Sequence, residues 1–314
     1  MPNPVLVSGS TDWGATGSWD TEAVPVDADG VYLRNSTANI ISTLNQSAIQ
    51  PAILEAERSF TGDIGTATSE LQIGPVILNV GRQLGVQTTS QAGSDRIKIA
   101  SGSDVCTVSC FYTATTSADT GFEPFRWRGT NASNVLNMYG GIMGVATNDP
   151  DDTATLATVN QFGGTLNLAG GCTLTTINLD GAQSLLSFRS AATTLNQSNG
   201  TVSRYGSGAL TTWSMKGGSG YDYCTGTITT MTVYPGTTLF KWSAAATITT
   251  LNLYGTLDLS QATGAITLTT VNILSEDAVV LDPLGRLGST AFVCGAGVRS
   301  FTYTGPGGET FTIA

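Results

Sequence analysis

The 314-residue chain contains no histidine. That absence removes the commonest general base, proton shuttle and metal ligand, and with it any Ser-His-Asp or Cys-His machinery. Charge is scarce too. Asp, Glu, Lys and Arg make up 11% of the residues, against roughly 25% in ordinary globular domains. The acidic residues number 23 and the basic ones 13, so the net charge is −10. An acidic field repels phosphate backbones, so no nucleic-acid partner is expected. No segment reaches the roughly 18 consecutive apolar residues of a spanning helix, so no membrane partner is expected either. The five cysteines (Cys106, Cys110, Cys172, Cys224 and Cys294) are odd in number and widely scattered, unlike a disulfide framework. Cys106 and Cys110 would lie roughly 13 Å apart on a strand, too far to bridge. All five read as small buried hydrophobes. No nucleotide-binding P-loop, G-x-S-x-G elbow, C-x-x-C pair or calcium-binding nonapeptide run is present. No catalytic residue, metal or cofactor is therefore expected, and the chain does not read as an enzyme. The amino terminus, Met1-Pro-Asn-Pro-Val-Leu-Val7, lacks the basic segment and long apolar run of a signal peptide.

What the chain does have is Thr, Ser, Asn and Gly around a 40% hydrophobic content. This is the composition of an all-β protein with short strands and many turns. One phrase, apolar-x-Thr-apolar, recurs seven times, with its threonine at 158, 176, 194, 212, 230, 250 and 270. The spacing is 18 residues four times and then 20 twice. An eighth copy, Val135 to Gly141, matches Thr158 to Gly164 at an offset of 23. The extra length fits an acidic insert at 148–152, either a solvated turn or a calcium loop.

Each unit holds two strand-like pieces, such as Leu174–Leu179 and Ser184–Phe188, parted by Gly or Asn-Gly. A period near 18 without a helical stripe predicts a single-stranded parallel β-helix, a β-solenoid of about 18–20 residues per coil, over 134–281. The crossover rule predicts right-handed coils, and the absence of a six-residue apolar period (Ile177, Gln183, Arg189) argues against the left-handed form. Leu, Ile, Val and Met are expected to stack inside, with Thr, Ser and Asn outside. Between 155 and 275 there are seven charges: Asp180, Arg189, Arg204, Lys216, Asp222, Lys241 and Asp258. The sparse charge suits an outer face on which stacked like charges would repel. The three aspartates sit one per coil at different phases, which gives no carboxylate cluster.

The flanks are less regular. Residues 1–52 read as an amino-terminal cap or attachment segment. Trp13 and Trp19 are either a plug over the end of the solenoid or a surface for sugar or a partner. Asp27 and Asp29 are either turn residues or calcium ligands. Ile41 to Ser47 echoes Thr194 to Ser198, a sign that coils start early. Residues 53–133 read as irregular β structure. Glu55 and Glu57 share one face of a strand, as solvated edge residues or an acid–base pair. Arg126, Trp127 and Arg128 form the densest mix of aromatic and positive character. They are candidate partner contacts, or a strand with its aromatics inward and its arginines outward. Residues 282–314 drop the threonine phrase and end in a predicted hairpin, a carboxy-terminal cap or oligomer contact.

Three stretches carry a resemblance: Phe60-Thr-Gly-Asp-Ile-Gly65, Asp95-Arg-Ile-Lys-Ile99, and Trp127-Arg-Gly-Thr-Asn-Ala-Ser-Asn-Val-Leu136 running into the coils. In order and spacing, over roughly 55–275, the chain resembles a family of β-helical structural proteins of tailed phages and prophages. Trp19-Asp-Thr-Glu-Ala-Val-Pro25 also looks like the entry to solenoids of that class. The resemblance implies a virion location, release by lysis, and no catalytic residues to carry over. Its expected role is a capsid decoration or head-surface protein, a homotrimer docked on the major capsid protein or another virion protein. The alternatives are a tail fibre or tailspike that binds receptor or cleaves polysaccharide, and an exported β-solenoid adhesin.

Overall fold

In the computed structural model of the chain, residues 3–7, 11–66, 69–81, 97–111, 125–145, 153–241, 247–287, 290–306 and 310–313 are described. The acidic insert at 148–152 lies outside them. The protein is an all-β solenoid of about 11 parallel coils with almost no helix. Its contacts divide it into two compact units, Met1–Thr173 and Leu174–Ala314.

In the first unit, Gly30–Leu33, Ile53–Ala56, Ile77–Val80, Thr107–Cys110 and Val135–Met138 pair in parallel, each on the one before. Alternation puts every second residue inside. Leu33, Ala56, Val80, Cys110 and Met138 form one buried column, and Val31, Leu54, Leu78, Val108 and Leu136 another. A second stack runs through Asn45–Gln46, Leu71–Ile73, Ile97–Gly102 and Phe125–Gly129. Strand Ala154–Gln161 joins the two stacks: Ala154 pairs with Gly129, while Thr158 to Gln161 pair with Val135 to Met138. The coils thus begin about a hundred residues before Val135. The Ile41–Ser47 echo marks a true coil, since Asn45 and Gln46 pair with Gln72 and Ile73. A further parallel pair, Ile142–Val145 on Thr165–Leu168, supplies another side of the regular coils.

The first turns close over Trp13 and Trp19, whose rings meet edge to face at 4.9 Å. Trp19 Nε1 donates to the Trp13 carbonyl at 2.9 Å. Bridges from Val5 to Tyr32 and from Asp12 to Ser42 tie this segment to the first coil.

In the second unit the threonine phrase is the ladder itself. Thr176, Thr194, Thr212, Thr230, Thr250 and Thr270 are successive register partners. Beside them Ile177, Leu195, Trp213, Met231, Leu251 and Val271 stack as a fully buried column. Each such side chain contributes about 1.5–3 kcal/mol by leaving water. Trp213 fits because the neighbouring stack offers Gly220, where an added Cβ would lie 2.8 Å from the ring. Gln197 also points inward. Its amide donates to Gly200 and Ser219 carbonyls at 3.1 and 3.0 Å, and its oxygen accepts Trp213 Nε1 at 3.2 Å. On the outside, asparagines bond from coil to coil: Asn196 to Asn178 at 2.9 Å and Asn272 to Asn252 at 2.8 Å.

The second stack of this unit runs Leu185–Phe188, Thr201–Arg204, Ser219–Asp222, Thr238–Lys241, Thr256–Asp258, Val279–Leu281 and Phe301–Thr304. The predicted hairpin is present: Thr310–Ile313 pairs antiparallel with Phe301–Thr304 and closes that stack. Buried Asp282 pins the turn before it, accepting the N–H groups of Arg286 and Leu287 at 2.6 and 3.0 Å and the Tyr303 hydroxyl at 3.3 Å. One cysteine departs from expectation. Cys106, Cys110, Cys172 and Cys224 are buried, but Cys294 is exposed. It ends Ala291–Cys294, the last strand to join the threonine-phrase ladder, where the column of Leu253 and Ile273 runs out of cover.

Candidate functional site

Of the five predicted contact residues, three are corrected by their burial. Trp13, Trp19 and Trp127 are 0–1% exposed and present no surface to a partner or a sugar. Trp127 stacks inward on Ile99 by register. The alternation that buries it turns Arg126 and Arg128 outward, and Arg128 is exposed. Arg126 is partly covered and forms an ion pair with Glu70 at 2.9 Å. The five residues do not converge on one site.

The carboxylates of the first unit serve turns and pairs. Asp29 accepts the Val26 N–H at 2.9 Å and Asp27 the Gln50 N–H at 2.7 Å, which fits the turn reading of both. Glu57 faces Arg34 at 3.7 Å and accepts the Ser59 hydroxyl at 3.1 Å. No cluster of three or more His, Cys, Asp or Glu capable of holding a metal occurs among the described residues.

Two outward features were not anticipated. In the first unit Phe111, Tyr139 and Phe162 occupy one outer position in three successive coils. Their rings stack at 4.7 and 5.1 Å with planes 4° and 17° apart, close to the strand spacing of about 4.8 Å. All three are 45–51% exposed. Stacking covers the ring faces and leaves the edges outward. A sugar binds across a bare face, so the column itself is a poor glycan platform. One coil before Phe111 the register equivalent is Gly81, which has no side chain to stack on its ring. In the second unit Tyr205 stacks on Tyr223 and Tyr221 on Phe240, each at 4.9 Å. The Arg189 guanidinium lies 5.4 Å from the Tyr205 ring centre. Sequence reasoning had the signal for these columns, since 205 and 223 are 18 apart, but it tracked only the aliphatic phrase.

The other unanticipated feature is inside. Arg204, Asp222 and Lys241 are register partners on three successive coils and are 0% exposed. Three of the seven charges of the regular array therefore occupy one interior column, below which lies Phe188. Asp222 sits between the two cations. Its Oδ1 is 3.1 Å from Arg204 Nη1 and its Oδ2 is 3.0 Å from Lys241 Nζ. Oδ1 also accepts the Cys224 N–H at 3.1 Å. Arg204 Nη2 donates to the carbonyls of Gly208, Gly226 and Thr227. Lys241 Nζ donates to the carbonyls of Cys224 and Asp222 at 3.1 and 3.4 Å. Burial pulls the Lys241 ammonium below the ordinary lysine range, against the attraction of Asp222. Burial pushes the Cys224 thiol up. The column holds two cations and one anion, and lysine is the member able to release a proton.

The chain matches no protein-family model, no curated protein and no solved structure.

Proposed function

We propose that this chain is a structural protein of a tailed-phage virion, a capsid decoration protein that docks as a homotrimer on the major capsid protein or another virion protein. The observation that carries the reading is the Phe111–Tyr139–Phe162 column, a half-exposed aromatic strip on a rigid parallel sheet. Aromatic anchors on an ordered backbone bind a protein surface at low entropic cost. Beside it Asn160 donates to Asn137 from one coil to the next at 2.9 Å. A docking protein needs such a stiff, weakly charged face. The phage resemblance of residues 55–275 supplies the particle.

Mass spectrometry of purified virions is expected to find the chain at fixed copy number, and electron microscopy to show it on the head. Virions that lack it would end the proposal. Depolymerisation of host polysaccharide by the purified chain would favour a tailspike instead.

A further inference from the structure

We propose that Lys241 and Asp222 condense to an isopeptide bond that covalently ties strand Ser219–Asp222 to strand Thr238–Lys241 inside the solenoid. The argument rests on where the atoms stand. Lys241 Nζ is 3.0 Å from Asp222 Oδ2, which holds the amine beside the carboxyl carbon that it would attack. Two carbonyl oxygens, of Cys224 and Asp222, receive its N–H groups and orient it. Oδ2 is buried and has no hydrogen-bond partner among the described residues, and the amine stands against the oxygen that would leave. Oδ1 is held by two donors, Arg204 Nη1 and the Cys224 N–H, both at 3.1 Å. Those donors stand where negative charge grows as nitrogen adds to the carboxyl carbon, as in an oxyanion hole.

The step balances without a co-reactant. The Nζ–Cγ bond forms and the Cγ–Oδ2 bond breaks. Oδ2 leaves as water, with two of the three ammonium protons. Oδ1 stays as the amide oxygen, still bonded to Arg204 and Cys224. Burial favours the free amine that the attack requires, and Arg204 adds to this against the pull of Asp222. The dry interior favours a neutral amide over a buried ion pair, which carries a desolvation cost of several kcal/mol per ion. The product leaves one buried charge, Arg204, with carbonyl oxygens around it.

Intact-mass measurement on the full purified chain, held at mildly alkaline pH, tests the bond. The expected mass is one water below that of the sequence. After denaturation, trypsin is expected to skip Lys241, and tandem spectra to place the loss in a loop from Asp222 to Lys241. Lys241→Arg keeps the cation but removes the nucleophile, and is expected to restore the full mass. The wild-type chain decides by itself should that variant not fold. Full mass with cleavage after Lys241 would overturn the proposal. So would a dehydration mapped to Asp180–Gly181 or Asp29–Gly30, where aspartyl-glycine sequences lose water by themselves.

Discussion

Removing the central carboxylate of the buried column is the sharpest perturbation that this structure offers. In Asp222→Ala the two cations remain, and neither reaches solvent, since Arg204 and Lys241 are 0% exposed. Lys241 relieves the strain by releasing its proton, a direction burial already favours. Arg204 cannot, because its guanidinium stays charged at any working pH. The cost therefore falls on Arg204, whose charge keeps its carbonyl partners but loses its counter-ion. Breaking a buried pair by removing one member costs about 3–5 kcal/mol, the figure for chains in which Asp222 is still a carboxylate; where the amide has formed, the variant loses the covalent tie instead. In the double variant Asp222→Ala/Arg204→Met the orphaned charge is gone. Carbonyls of Gly208, Gly226 and Thr227 lose a donor, at about 1–3 kcal/mol. The double variant should therefore be more stable than Asp222→Ala alone. Equilibrium urea unfolding followed by circular dichroism, with the denaturant slope checked for constancy, measures both. A single variant within about 1 kcal/mol of wild type, or a double variant worse than the single, would refute the electrostatic account.

Burial and backbone geometry carry further expectations. In native protein at pH 8, a thiol reagent should modify Cys294 rapidly and the four buried cysteines only after unfolding. Burial pushes the Cys106 and Cys110 thiols up to about 12 from the ordinary 9.0. The folded chain then keeps protons that the unfolded chain gives up. Stability should accordingly fall as pH rises from 9 towards 12, and Cys110→Ala should flatten the slope in an alkaline unfolding series. Gly218 has φ +76°, and an added Cβ would lie 1.9 Å from the Gly200 carbonyl oxygen. Gly218→Ala should therefore cost at least the roughly 1–2 kcal/mol of a left-handed backbone, and thermal melts would register it. Tyr139→Ser removes the middle ring of the outer column without touching the core. On the decoration reading it should weaken capture by purified particles about tenfold or more while the melt stays within a few degrees.

The threonine phrase gave away the second unit because its coils keep nearly constant length, so equal spacing and equal position in space coincide. In the first unit the same ladder links Gly30, Ile53, Ile77, Thr107, Val135 and Thr158. Those steps range from 23 to 30 residues, because segments such as 82–96 and 112–124 sit between strands. A variable step erases the period while leaving the stacking intact. The buried charges were missed for another reason. Arg204, Asp222 and Lys241 are 18 and 19 apart, the period itself, and each ends a four-residue strand whose second and fourth residues point inward. Writing the coils beneath one another would have aligned them. Weighing each charge by its own polarity placed them outside. Trp13 and Trp19 were legible as a plug, but their burial had to come from the bridges of Val5 and Asp12 to later coils, which no local pattern announces.

The charge column also bears on how such a chain can change length over evolutionary time. Where coils meet through threonine and asparagine, one turn is interchangeable with the next. Duplication or loss of one turn there keeps threonine on threonine and asparagine on asparagine. Between Thr201 and Lys241 that freedom ends. A turn spliced in there would part Arg204 from Asp222, or Asp222 from Lys241, and strand a charge in the dry interior. Recombination that shuffles turns elsewhere should leave these three in fixed order, as an index mark from which the remaining turns are counted.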